Sequence, residues 1–283
     1  MHFSRTTLAL LASSSPLTDA WGKVGHATVG AIGDHYLTAQ ARMFVSSLLG
    51  TNVTMSSVAS WADDYRYTTP GKFSAPFHYI DAEDSPPSTC SVDLNRDCGG
   101  TSGCIVSAIA NYTQRVNDRR YSVTDRKQAL EFLIHFIGDI TQPLHTEAKA
   151  VGGNQIPVLW QGADTNLHAA WDTQMVEKDA GGYGAAVITS FSNRLIAAID
   201  SGAYASQKAS WVSCTDVRTA SACALSWARD ANGINCAYVL QVDETDRELD
   251  GAYYSGAKPY IEMQIAKAGY RLGTYVNNLA AAA

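Results

Sequence analysis

The most regular apolar pattern lies in DRKQALEFLIHFIGDI, where Leu130, Leu133, Ile134, Ile137 and Ile140 recur at spacings of three and four. That period places them on one face of an α-helix, and Thr124 or Asp125 stands where a side chain would cap its start. The stretch AKPYIEMQIAKAGYRLGTYVNNLA repeats the pattern through Ile261, Ile265, Ala268, Leu272 and Val276, and reads as a terminal helix packed on the core without chemistry of its own. Two stretches break the period. TTPGKFSAPFHYIDAEDSPPSTC and AKAVGGNQIPVLWQGADT are rich in Pro, Gly and Ser, and so are loops, with room for a small hairpin in the second. The rest holds no repeat, low-complexity linker or charge run. The pattern predicts a mainly α protein: a single-domain helical bundle with long loops, disulfide staples and at most a small β-hairpin.

A chain of 283 residues, 46% hydrophobic and 17% charged, is long enough to bury a sizeable core. Its first twenty residues carry Arg5, a short apolar run from Thr7 to Ala12 and a small residue at Ala20, the features of a secretory leader cut after residue 20. An ordinary N-terminal tail is the competing reading. The expected division is a leader over 1–20 and one domain over 21–283. No later apolar run is long enough to span a bilayer. Cysteine usage agrees with export: Cys90, Cys98, Cys104, Cys214, Cys223 and Cys236 make an even set, and none falls in a paired CxxC ribbon. Sequence leaves their connectivity open. Cys98 with Cys104 and Cys214 with Cys223 are close enough to close short loops, which would leave Cys90 for Cys236. The triplets NVT at Asn52 and NYT at Asn111 are glycosylation acceptors in a chain that passes through a glycosylating compartment.

Against this background the segment HFIGDITQPLH is unusual, because it places two histidines and an aspartate where a core helix would take leucine. His135 and Asp139 are one helical turn apart and leave the same face, so they can converge on one ion. Pro143 ends or kinks the helix, which turns His145 elsewhere. Taken alone, a buried histidine hydrogen-bonded to an acid explains the segment equally well. TNLHAAWD repeats the arrangement with His168 and Asp172, and Asp164 or Thr165 is placed to cap a helix there. SWADDYRY adds Asp63, PFHYID adds His78, and WGKVGH adds His26 shortly after Trp21. Packing does not account for so many. With His2 gone in the leader, only His35 stands outside these clusters.

Carrying WGKVGH, SWADDYRY, PFHYIDAEDSPPSTC, CIVSAIANYT, HFIGDITQPLH, GGNQI, TNLHAAWD and IAKAGYRL together, the chain resembles the zinc-dependent single-strand-specific nucleases of fungi and plants, the S-one and P-one type. Their wider superfamily includes bacterial zinc phospholipase C. The resemblance implies three zinc ions on a mostly helical fold. Asp63, His78, His135 and Asp139 would hold the first. His145, His168 and Asp172 would hold a more separate second. The third would take the α-amino nitrogen and carbonyl oxygen of Trp21, with His26 and a bridging Asp139. The resemblance also implies that Asp63 and Asp139 serve catalysis, that Arg66 stabilises phosphoryl charge, that a base stacks on Tyr79 and bonds Asp81, and that Asn154 lies near the scissile group. Plainer alternatives are a solvated surface arginine at Arg66 and simple loop packing by Tyr79 and Asp81. Thr141 stands where many members have another histidine, and WVSCTDVRTASAC departs most from the familiar pattern.

Such a protein is expected to be a secreted, extracellular monomer that cuts single-stranded DNA and RNA to 5′-phosphorylated products and acts on 3′-nucleotides. Its formal charge of −6 predicts weak non-specific polyanion binding. Removing the leader takes away one charge of each sign and leaves that balance unchanged, so bound divalent ions would themselves form the anion site. Two other readings compete. A secreted zinc phospholipase C-like phosphodiesterase would use similar ligands, and a zinc-binding secreted glycoprotein would use them without turnover. The Tyr79 and Asp81 slot and the cysteine framework favour the nuclease over the first, and a ligand set with open coordination favours it over the second.

Overall fold

The strongest apolar period builds the centre of the molecule. A computed structural model describes residues 21–99, 102–241 and 248–283; the predicted leader, residues 1–20, lies outside the described residues. In chain order the helices are α1 (Gly22–His35), α2 (Ala39–Leu49), α3 (Met55–Val58), α4 (Trp61–Arg66), α5 (Leu94–Asp97), α6 (Ile105–Asn117) and α7 (Val123–Asp139). They continue as α8 (Leu167–Ala169), α9 (Met175–Ala180), α10 (Ala185–Asp200), α11 (Lys208–Trp211), α12 (Ala220–Ile234) and α13 (Ala252–Ala281). A two-stranded antiparallel hairpin, β1 (Pro157–Trp160) and β2 (Ala163–Asn166), pairs Pro157 with Asn166 and Trp160 with Ala163. It is the small hairpin expected in the second Pro- and Gly-rich stretch. The fold is mainly α, as the apolar pattern predicts.

α7 is buried on all sides over its second half: every residue from Ala129 to Asp139 is out of solvent. A helix that is apolar all round belongs in a core, and α6 packs along it. Its cap is Ser122, whose hydroxyl accepts from the Asp125 amide; neither Thr124 nor Asp125 caps it, because both already lie in the first turn. The helix ends at Asp139, short of Pro143, which instead opens a separate 3₁₀ turn, Pro143–Thr146. A second cap also differs from expectation. Asp164 and Thr165 belong to β2, so the residue that caps α8 is Asn166, accepting from the Ala169 amide.

α13 buries Ile261, Ile265, Ala268, Leu272 and Val276, and α1 lies along it. The two approach closely because Gly269 has no side chain: a Cβ there would sit 2.5 Å from Cβ of Ile32. Pro259 falls inside α13 on its exposed side, where a lost amide donor is least costly. The cysteines pair as Cys90–Cys236, Cys98–Cys104 and Cys214–Cys223. Among the described residues no helix is long and apolar enough to cross a membrane.

Replacing Gly269 by Val should force α1 and α13 apart and destabilise the fold by about 1–3 kcal/mol, the usual cost of overpacking. Denaturant unfolding monitored by circular dichroism checks this, and an unchanged midpoint would show that the helices are free to separate.

Candidate metal centre and substrate cleft

Seven elements deliver the polar residues to one place. α7 brings His135 and Asp139, α1 brings His26, and α4 brings Asp63 and Arg66. The 3₁₀ turn Lys72–His78 ends on His78, and the turn Pro143–Thr146 carries His145. His168 leaves α8, and Asp172 leaves the π-helical turn that follows it. All of these apart from Arg66 are buried.

In the first cluster the two oxygens of Asp139 face opposite ways. Oδ2 lies 3.0 Å from His78 Nδ1 and 3.1 Å from His135 Nε2, while Oδ1 lies 3.0 Å from His26 Nε2. Asp63 Oδ1 closes the same set at 3.4 Å from His135 Nε2 and 3.6 Å from His78 Nδ1. The His26 ring stacks on that of His135 with centroids 3.9 Å apart. Gly138 makes room for it, since a Cβ there would come within 2.9 Å of His26 Nδ1. A second cluster stands apart: His168 Nε2 is 3.1 Å from both His145 Nε2 and Asp172 Oδ2.

These contacts bring acceptor to acceptor. Both oxygens of Asp63, Oδ1 of Asp139 and Oδ2 of Asp172 are buried without a hydrogen-bond donor, an arrangement that costs several kcal/mol unless positive charge is supplied. The imbalance shows in the titration of the groups. Burial alone would raise Asp63, but His135, His26 and His78 outweigh it and hold the carboxyl at about 2. Burial would lower His135, yet Asp139 and Asp63 push it well above its ordinary value. His78, dominated by burial, falls to about 4.

A metal ion resolves the conflict better than protons do. Four donors bonded tetrahedrally at about 2.0–2.1 Å stand roughly 3.4 Å from one another, close to the 3.0–3.6 Å separations seen here. The other ring nitrogens are turned to fit. Nδ1 of His135, His145 and His168 lies 2.7, 2.8 and 2.5 Å from the carbonyls of Ala59, His78 and Gly152. Those carbonyls keep the proton on Nδ1 and leave Nε2 free to bind. Nitrogen and carboxylate oxygen without thiolate are donors that suit zinc. His26, Asp63 and His135 offer donor atoms within 4.8 Å of one another, as do His78, His135 and Asp139, and His145, His168 and Asp172.

A sequence model of the family described as S1/P1 Nuclease matches residues 21–281. The chain belongs to that family. It is 45% identical over 264 residues to Nuclease P1 of Penicillium citrinum, covering 92% of this chain and 97% of that protein. To Nuclease S1 of Aspergillus oryzae it is 42% identical over 287 residues, 99% and 97% of the two chains. The plant Endonuclease 4 of Arabidopsis thaliana is 30% identical over 92% of this chain and 89% of its own.

In this S1/P1 nuclease the expected base and phosphate residues share one cavity. Arg66, Tyr79, Asp81, His145, Asn154 and His168 all line a cleft of about 510 Å³. Arg66 is not a solvated surface arginine: its side chain is 10% exposed and its Nη2 lies 3.5 Å from Asp63 Oδ1. Tyr79 is 39% exposed and available at the mouth. Burial, reinforced by Glu83 and Asp97, raises Asp81 above the usual carboxylate range. Asn154 donates to the Val151 carbonyl at 2.9 Å.

Trp21 is fully buried at the start of α1, and its indole donates to the Gly138 carbonyl at 3.0 Å and to Thr141 Oγ1 at 3.1 Å. Thr141 thus anchors the Trp21 indole, and in turn donates to Gly138 O at 2.7 Å. Sequence reasoning missed Gln142, whose amide donates to Asp172 Oδ1 at 2.5 Å. Its only signal was its place between Asp139 and His145. Lys72 and Tyr67, also in the cleft wall, gave no signal in spacing. Asn52 and Asn111 are both exposed.

Replacing Asp139 by Asn keeps the shape but removes the charge shared by three imidazoles. We expect such protein to retain more than one metal ion fewer than wild type, read by elemental analysis after dialysis. Equal metal content would show that the assignment of Asp139 as a ligand is wrong.

Proposed function

We propose that this protein is a secreted endonuclease that hydrolyses phosphodiester bonds of single-stranded DNA and RNA to 5′-phosphorylated products, with 3′-nucleotidase activity, through three zinc ions per chain. The observation that carries this reading is Asp139, whose Oδ1 meets His26 and whose Oδ2 meets His78 and His135, with His145 and His168 of the second cluster lining the cleft. Asp63, His78, His135 and Asp139 would hold one ion, His145, His168 and Asp172 a second, and Trp21, His26 and Asp139 a third. Bound zinc supplies Lewis acidity, lowering the pKa of water towards neutrality and taking up negative charge on the departing 3′ oxygen.

The chain's own residues do the rest. Arg66 reaches into the cleft beside Asp63 and meets charge growing on the phosphoryl oxygens. The Tyr79 ring offers a face on which a base stacks, and Asp81 meets the base edge. A splayed base enters that slot, whereas a base in a duplex must first be unpaired at a cost of a few kcal/mol. Strand preference then follows from geometry. Nothing in this slot requires the basic surface that the chain lacks. The Tyr79 and Asp81 wall beside the metal ligands favours the nuclease over a phospholipase C-like phosphodiesterase, and an open cleft beside the ligands favours an enzyme over a binding glycoprotein. We read the protein as extracellular and monomeric.

The direct test incubates purified protein with single- and double-stranded oligonucleotides, with and without chelator, and identifies the end groups. Cleavage confined to single strands, abolished by chelator and leaving 5′ phosphate, is expected. Tyr79→Ala and Asp81→Ala should each raise KM for single strands with metal content intact, since a stacked base is worth about 1–3 kcal/mol. Unchanged KM in both variants would reduce these residues to loop packing.

Processing sets a further expectation. A free α-amino group, with an ordinary pKa of about 7.7–8.0, can lose its proton and donate to a metal, whereas an amide nitrogen cannot. Protein beginning at Trp21 should bind three zinc ions and be active. Protein with one extra residue before Trp21 should bind fewer and be nearly inactive. Equal zinc and equal rate would exclude the amine as a ligand.

A further inference from the structure

Tyr79 and Asp81 stand on a short extended segment, residues 79–83, with Tyr79 at φ −150° and ψ 172°. In an extended chain alternate side chains share a face. Ile80 and Ala82 are buried, whereas Tyr79, Asp81 and Glu83 are exposed. The backbone divides in the same way. On one edge Ile80 N donates to the His145 carbonyl at 2.9 Å, and Ala82 O accepts from the Ala148 amide at 3.2 Å. That edge is fixed to the turn that carries His145. On the other edge Tyr79 O accepts from the Ile105 amide at 2.9 Å, and Glu83 N donates to Asp97 Oδ1 at 3.1 Å. The anchors of this second edge are themselves joined, because Asp97 precedes Cys98, Ile105 follows Cys104, and the two cysteines form a disulfide. A closed strap results.

Asp97 is the polar end of the strap. It does not line the cleft, and its side chain is out of solvent. Oδ2 accepts from the Asp93 amide at 2.8 Å and from Arg96 Nη2 at 2.9 Å, while Oδ1 also accepts from Arg96 Nε. Burial alone would raise this carboxyl, but Arg96 and the Asp93 and Glu83 amides outweigh it and hold it below its ordinary value. An ionised carboxylate bonded to amides and a guanidinium is a strong, directional anchor. We infer that Asp97 is a positioning residue for base recognition, holding Asp81 in place through the Glu83 amide, with the Cys98–Cys104 bridge tying Asp97 to the Tyr79 end of the slot. This rests on the reading of Tyr79 and Asp81 as the base slot. The His145 edge sets the distance of the slot from the metal centre, and the strap keeps the segment from peeling away. A misplacement of about 1 Å is enough to weaken productive binding. With Asp97 removed, Asp81 loses its fixed position while the ligands of the centre keep theirs.

The test measures KM, kcat and zinc content of the mature protein on a single-stranded oligonucleotide, for wild type, Asp97→Ala, Asp81→Ala and the double variant. Asp97→Ala should raise KM about three- to tenfold, the worth of one hydrogen bond to the base, with kcat and zinc content unchanged. Since it acts through Asp81, it should add less than about twofold to the effect of Asp81→Ala. Asp97→Asn, which keeps one acceptor oxygen for the Glu83 amide, should recover most of the loss. Replacing both cysteines, Cys98→Ser with Cys104→Ser, frees the strap by another route and should raise KM in the same direction, which decides the matter if Asp97→Ala does not fold. Wild-type KM in both the Asp97→Ala and the cysteine variants, a loss that appears in kcat or zinc content instead, or losses that multiply in the double variant would overturn the inference. A raised KM in Asp81→Ala beside a wild-type KM in Asp97→Ala would sink this inference alone, whereas a wild-type KM in Asp81→Ala would sink its part of the base slot as well.

Discussion

Everything in this centre answers to one electrostatic constraint: carboxylates and imidazole rings, removed from water, are brought within about a hydrogen bond's length of one another, and several carboxylate oxygens are left without a donor. An interior tolerates that only where compensating cations are held in place. Rigidity of the surroundings is therefore part of the chemistry. The fully buried second half of α7, the stacking of His26 on His135 and the carbonyls behind three imidazoles fix the donors before any ion arrives. Ligands fixed in advance lose little freedom on binding, and their second contacts hold the tautomer that coordination needs.

Much of this was legible in the chain. The apolar period located α7 and α13, and the four-residue spacings of His135 with Asp139 and His168 with Asp172 located both clusters, because a helix repeats nearly every four residues. Caps were read less well. Ser122 and Asn166 cap their helices one or more residues away from the expected positions, since Ser, Thr, Asp and Asn are nearly interchangeable as caps and cluster in sequence. What spacing does not carry is contact across distant segments. Gln142 bonding Asp172 and Thr141 bonding the Trp21 indole both depend on where separate turns come to rest.

The departure at Thr141 illustrates how a substitution can be absorbed. A hydroxyl that both accepts from an indole and donates to the Gly138 carbonyl fills a polar position beside Asp139 with a small group. Trp21 is thereby held by its ring at the start of α1. Arg66 is the cationic side chain that the cleft wall places beside Asp63, in a chain whose net charge is −6.

The bond between Cys90 and Cys236 joins residues 146 apart, and this makes most of the molecule a covalent ring. His135, Asp139, His145, His168 and Asp172 lie inside it, while Trp21, His26, Asp63 and His78 lie on the arm that enters it. A protease that opens the ring once, at an exposed point such as Tyr183, which is 81% exposed, produces no free fragment. The two ends stay tethered through the bridge and the packed helices, so in a medium rich in proteases a nicked molecule still holds both histidine and aspartate clusters on one connected chain.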